Sequence, residues 1–199
     1  KLLTYKVTNL LKGSNTVCVS AIDSLETNLH DCRIRGATLH SEAAVEEFLK
    51  KDDWYCKKEE YDGGVIFRGG VTGFSGIYKD YSFSMVVEPF DVQCFAHFPA
   101  SVKNAIDKIA ELVARINYQL KYGGFELDCD EGLLRFHMCV PAVAVRHDTL
   151  NLMRFLMLAP ARILDQYATI ITSVLIGQES PKAAMLRQVK SKEEVQDGE

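Results

Sequence analysis

The sequence predicts an α+β protein in which an antiparallel sheet of hairpins packs against a central long helix, an N-terminal helix and C-terminal helices. Three observations lead there. Strand-like segments come in pairs joined by short turns rich in Gly, Pro and Asp, as antiparallel hairpins require. Amphipathic stretches separate blocks of strands and do not alternate with single strands, which favours α+β over a βα repeat. Finally, 199 residues that are 47% hydrophobic and 25% charged match a soluble globular chain with one core and appendages.

From Lys1 to His40 the pattern is mixed. Leu2 to Leu11 shows no clean period, Thr16 to Ile22 reads as a short strand, and Ser24 to His40 reads as helix or loop. Residues 1–40 are therefore treated as an N-terminal extension, 41–178 as the α+β domain, and 179–199 as a charged tail able to form a helix. A helix is expected from Ser41 as N-cap, with Ala44, Val45, Phe48 and Leu49 at helical spacing. It ends in Lys50-Lys51, cations at the negative pole of the helix dipole.

Trp54 to Glu60 and Val65 to Arg68 predict a first hairpin around Asp62-Gly63-Gly64. A glycine-rich link (Gly69, Gly70, Gly73, Gly76) leads to a second, Tyr81 to Val87 and Val92 to Phe98, turning at Glu88-Pro89-Phe90-Asp91 and stopped by Pro99. Ser101 is the expected cap of the central helix. Val102, Ile106, Ile109, Leu112, Val113, Ile116 and Leu120 form its stripe, about five to six turns at 3.6 residues each.

Gly123 and Gly124 are placed to close that helix in the left-handed conformation. A third hairpin follows from Phe125 through the acidic turn Asp128-Cys129-Asp130-Glu131-Gly132 to Pro141. Its return strand sorts Leu134, Phe136, Met138 and Val140 onto a core face and Arg135, His137 and Cys139 onto the other. Asp148 caps a further helix to about Ala159, Pro160 kinks it or starts a successor, and Gly177 ends the stripe.

Several function classes are disfavoured. A formal net charge of −4 with no long Lys/Arg block argues against nucleic acid. No apolar run approaches the ~20 residues of a membrane span. Six scattered cysteines without C-x-x-C spacing read as reduced thiols and point to a cytoplasmic setting. The run from Gly69 to Gly76 lacks the Lys-Ser/Thr and the following helix of a phosphate loop. Gly73-Phe74-Ser75-Gly76 falls one residue short of G-x-S-x-G. The acidic turn places Leu133 and Cys139 where a calcium loop needs Gly and Glu.

Two constellations remain. Tyr81, Phe83, Met85, Val86 and Val87 read as apolar side chains on both sheet faces, which a half-solvated strand should avoid. Either the first forty residues, or another polypeptide, is then expected to cover the second face. Phe83, Met85 and Phe95 are the candidate partner-binding surface. The rival is a metal-binding or hydrolytic enzyme using His97, His137 and Cys139. His137 and Cys139 lie two apart on one strand, without the short paired spacing of structural zinc.

The segment Ile116-Asn117, the Gly-Gly-Phe-Glu-Leu-Asp run from Gly123, the acidic turn and Gly-Leu-Leu-Arg-Phe from Gly132 resemble the YbjN family of bacterial proteins, described as sensory transduction regulators, whose fold is similar to that of type III secretion chaperones. The resemblance extends over about Ser41 to Gln178 and includes Trp54; residues before Ser41 depart from it. It implies a bacterial, non-enzymatic protein-binding module, a regulator or chaperone-like adaptor, that forms a homodimer. It supplies no catalytic, cofactor or metal residues. The expectation is thus a cytoplasmic protein with a protein partner or a second copy of itself, and no nucleic acid, membrane or cofactor.

Overall fold

The computed structural model describes residues 41–147 and 149–196, so the expectations for residues 1–40 and for an Asp148 cap lie outside the described residues. Helix α1 covers residues 41–51. Four strands follow: β1 (Lys57–Tyr61), β2 (Gly64–Thr72), β3 (Asp80–Val87) and β4 (Asp91–His97). A 3₁₀ turn (Lys103–Ala105) leads into α2 (Ile106–Asn117), then β5 (Gly124–Asp128) and β6 (Leu133–Pro141). Helices α3 (Ala142–His147), α4 (Thr149–Leu175) and α5 (Pro181–Gln196) follow. The strands form one antiparallel sheet in the order β1-β2-β3-β4-β6-β5. The fold class is α+β, as the hairpin pattern implies.

Register sorts the sheet into two faces. Phe67 pairs with Met85, Met85 with Cys94, Cys94 with Met138; one step along, Phe83 pairs with Ala96, Ala96 with Phe136, and Phe136 with Phe125. All of these are buried. Helix α4 lies across β3, β4 and β6, and α2 beside β5. Each large side chain removed from water here contributes about 1.5–3 kcal/mol.

The expected partner surface is corrected by this register. Tyr81, Phe83, Met85 and Val87 alternate cleanly onto the helix-covered face, leaving Val86 as the one member of that apolar set on the open face. Phe83 is 2% exposed and Met85 0%; both are core. The Val86-Val87 doublet hides an ordinary one-sided strand.

The glycine link is also corrected. Strand β2 continues through Gly69 and Gly70 to Thr72. A Cβ on Gly69 would stand 2.7 Å from the Phe83 ring, so the missing side chain is where that ring sits. Trp54 meets the same ring edge-on at 5.8 Å between centroids. Residues 73–79 then form a loop closed by the Gly73 amide on the Lys79 carbonyl at 2.7 Å.

Ser41 is helical and buried; its expected role as N-cap turns on residue 40, outside the described residues. Two helix boundaries differ from expectation. The central helix is shorter than its stripe: Val102 belongs to the 3₁₀ entry, and α2 ends at Asn117. Ser101 bonds at 3.4 Å to the Lys103 amide and the Gly132 carbonyl, not as the cap of α2. Only Gly123 of the glycine pair is left-handed (φ 66°). It serves the entry to β5, where a Cβ would collide with the His137 carbonyl oxygen.

Helix α4 passes through Pro160 as a single element and closes at left-handed Gly177 (φ 76°), with the Gln178 amide on the Ser173 carbonyl at 2.9 Å. In α5, Ser180 caps the Ala183 amide at 3.3 Å and Pro181 takes the first helical position. Ala184 and Met185 enter the common core, so the first turns of α5 pack onto the same body.

Candidate functional site

Among the described residues no helix covers the other face of the sheet, the open face; it is largely polar, and its side chains form a bonded band across the strands. Across one register row lie Lys57, Arg68, Ser84, Phe95 and His137; the next holds Ser82, His97, Arg135 and Glu126. Arg68 donates from Nε to Glu59 at 3.1 Å and from Nη1 to the Ser84 hydroxyl at 3.0 Å. That hydroxyl lies 3.0 Å from His97 Nε2. On β5, Glu126 accepts from Arg135 Nε at 2.7 Å and bonds His137 Nδ1 at 2.8 Å.

Phe95 is on this face, apart from Phe83 and Met85, and only 7% exposed. The Arg135 guanidinium lies 4.1 Å from its ring centroid and His137 stacks on it at 4.5 Å. Phe83, Met85 and Phe95 therefore do not assemble into one apolar surface. Two sit under the helices and the third under charged neighbours.

The residues of the rival reading are neighbours but occupied separately. His97 faces Ser84, His137 is held by Glu126, and Cys139 lies one register row further on, opposite Gln93. Burial and the adjacent Arg135 and Arg68 lower the His97 pKa, which favours a neutral ring. The Ser84–His97 pair matches half of a hydrolytic triad. Ser84 is only 6% exposed, however, and no carboxylate among the described residues orients the other ring nitrogen. Burial, then Asp91 and Glu88, push the Cys139 thiol up, away from a reactive thiolate. Among the described residues no cluster of three His, Cys, Asp or Glu side chains is placed to hold a metal ion. At Glu126 burial opposes the charged form, but the bonds and charges of Arg135 and His137 outweigh it and lower its pKa.

Among the described residues, both sheet edges carry features that disfavour strand addition. Asn117 donates from Nδ2 to the Phe125 carbonyl at 3.0 Å and accepts the Phe125 amide on Oδ1 at 2.8 Å. Its side-chain amide thus occupies outward backbone groups of β5. The β1 edge carries Lys57, Lys58, Glu59 and Glu60, the charged composition that discourages pairing. Lys58 is further tied to Glu42 and Glu46 of α1 at 2.5 and 2.8 Å.

Helices α2 and α5 leave a different surface. Between them runs a groove of about 600 Å³ lined by Ala114, Tyr118, Met185, Leu186 and Val189. Tyr118 is 92% exposed and Leu186 55%. Glu111 and Arg115 pair along one rim at 2.7 Å. Lys182 on the other rim has no ion pair among the described residues.

Sequence reasoning missed this groove because it assigned α5 to an exposed tail. It also missed Asp165, although a lone carboxylate within the apolar stripe of α4 was a visible signal. Asp165 is 4% exposed and accepts the Tyr81 hydroxyl at 2.7 Å and the Ser75 amide at 2.6 Å. With Tyr78 bonded to Thr172 at 3.0 Å, it latches the 73–79 loop onto α4.

Among the described residues, fold and surfaces together define an α+β protein with guarded sheet edges, a polar face on the sheet and an apolar groove between two helices. No protein-family model matches the chain, and neither the curated proteins nor the solved structures contain a significant match. No helix among the described residues is long and apolar enough to cross a membrane.

Proposed function

We propose that this chain is a non-enzymatic protein-binding module, a regulator or chaperone-like adaptor of the kind its YbjN resemblance implies, and that its first partner is a second copy of itself. The observation that carries this reading is the α2/α5 groove. An aromatic side chain that is 92% exposed stands directly beside an apolar hollow on the same surface. A two-fold axis brings the same patch of both copies together, so Tyr118 of each copy enters the hollow of the other. Glu111 and Lys182, on opposite rims, then face their counterparts with complementary sign.

The guarded edges support helix-face docking over strand addition. A stable contact of this kind buries about 800 Å² per partner, and Tyr is among the residues that anchor such contacts. Analytical ultracentrifugation tests the reading with wild type and the double variant Tyr118→Ala/Leu186→Asp. Wild type is expected as a dimer with a Kd of about 1 µM or tighter, and the variant as a monomer with the same far-UV circular dichroism, whose melting temperature is lowered by the lost dimer contact and no longer depends on concentration. A wild-type monomer well above that concentration, or a variant that dimerises as well as wild type, sinks the proposal.

A further inference from the structure

The open sheet face carries a second feature that shares no lining residue with the helical groove. At the end of the polar band, near the β5–β6 turn, a cleft of about 390 Å³ is lined by His97, Arg135, Glu126, Asp128, Leu127 and Leu133. Its polar groups are not all spoken for. Arg135 is fixed through Nε to Glu126 and lies against the Phe95 ring. Its two terminal amino groups have no partner among the described residues, so a preset planar fork faces the cleft.

His97 adds a ring nitrogen. Its Nε2 lies 3.0 Å from the Ser84 hydroxyl, whose oxygen also accepts from Arg68 Nη1, while its Nδ1 has no partner among the described residues. Opposite in sign is Asp128. Its Oδ1 accepts the Asp130 and Glu131 amides at 2.9 and 3.0 Å, while Oδ2 bonds nothing among the described residues. Leu133, 60% exposed, supplies an apolar wall.

We propose that this cleft binds a free α-amino acid with an apolar side chain. The ligand carboxylate bonds the Arg135 fork in bidentate fashion, and its arrival selects the His97 tautomer in which the Ser84 hydroxyl donates to Nε2 and Nδ1–H donates to the ligand. Its ammonium bonds Asp128 Oδ2, and its side chain rests on Leu133. A simple carboxylate is disfavoured because Asp128 would repel it uncompensated, and a simple amine because it would face Arg135. Only a ligand carrying both charges on neighbouring atoms satisfies both ends. Because Arg135 and His97 are already held by Glu126, Phe95 and Ser84, little ordering is left for binding to impose.

Isothermal titration calorimetry of the full chain with L-leucine tests the inference, with leucinamide and N-acetyl-leucine as controls lacking one charge each. Leucine is expected to bind in a saturable one-to-one manner with a Kd of about 1 mM or tighter, and each control at least about tenfold more weakly. Arg135→Lys keeps the charge and loses the fork, and should weaken leucine at least about tenfold. Asp128→Asn keeps the turn acceptor and should erase the preference for leucine over N-acetyl-leucine. If leucine gives no saturable heat, if N-acetyl-leucine binds as tightly as leucine, or if Asp128→Asn leaves that preference intact, the site is not one for amino acids.

Discussion

Removing the Asp165 carboxylate should destabilise the protein more than any other single polar deletion described here. Asp165 is nearly fully buried on α4, and accepts two short hydrogen bonds, from Tyr81 on β3 and from the Ser75 amide in the 73–79 loop. Each bond to a charged group is worth about 1.5–3 kcal/mol, and its loss strands a buried donor. Asp165→Ala should therefore cost about 3–5 kcal/mol. In a chain of this size that lowers the melting temperature by about 6–20 °C. Asp165→Asn, which keeps an acceptor, should cost about 1–2 kcal/mol.

Urea denaturation followed by Trp54 fluorescence is the natural assay, since the chain has one Trp and it packs on Phe83 of the same strand as Tyr81. Tyr81→Phe alone should cost about 1.5–3 kcal/mol, yet should be close to neutral when Asp165 is already Ala, because the hydroxyl then has no acceptor to lose. Additive costs in that double-mutant cycle, or a loss below about 1 kcal/mol for Asp165→Ala, would refute the latch.

Three further outcomes follow from the same geometry. Met85→Ala should cost about 2–5 kcal/mol as a core truncation, and Phe83→Asp should unfold the chain outright, both read by the same urea titration; a folded Phe83→Asp protein would return these residues to the surface. Asn117→Ala should cost about 1–3 kcal/mol and, by baring the β5 edge, raise light scattering at high concentration; unchanged scattering would mean the edge is guarded by something else. Burial, then the Asp165 bond, raises the Tyr81 pKa above its ordinary value, so folding favours the protonated phenol. Its stabilising contribution is complete below the unfolded pKa of about 10 and is lost as pH rises beyond it. The urea midpoint should fall through that alkaline range, and less so in Tyr81→Phe.

How much of this was legible in the sequence depends on whether a feature is local. The β5–β6 hairpin and its two faces follow from strict alternation between Leu133 and Val140. The Ser180-Pro181 helix start follows from capping chemistry. The extension of β2 through Gly69 was not readable, because the reason for that glycine is the ring of Phe83 on the next strand. The length of α2 was overestimated because a 3₁₀ entry shares its first apolar positions with a helix. Phe83 and Met85 were placed on a surface because Val86-Val87 blurred a two-residue period.

Of the open-face band, the sequence supplied the side of the strand for His137 and Arg135. It could not supply Glu126 as their shared acceptor or Arg68 and Ser84 as the link to His97, which depend on cross-strand register. The helical groove needed the return of α5 onto α2, which no local pattern encodes.

The claim that matters most is that copies of this chain meet through the α2/α5 groove, and hydroxyl-radical footprinting across a dilution series addresses it directly. Tyr118 and Tyr55 are 92% and 95% exposed in the isolated chain, so they should label alike when dilute. On concentration, Tyr118 labelling should fall several-fold while Tyr55 stays constant. Equal labelling of both at every concentration, or protection of Tyr55 in place of Tyr118, would contradict the account.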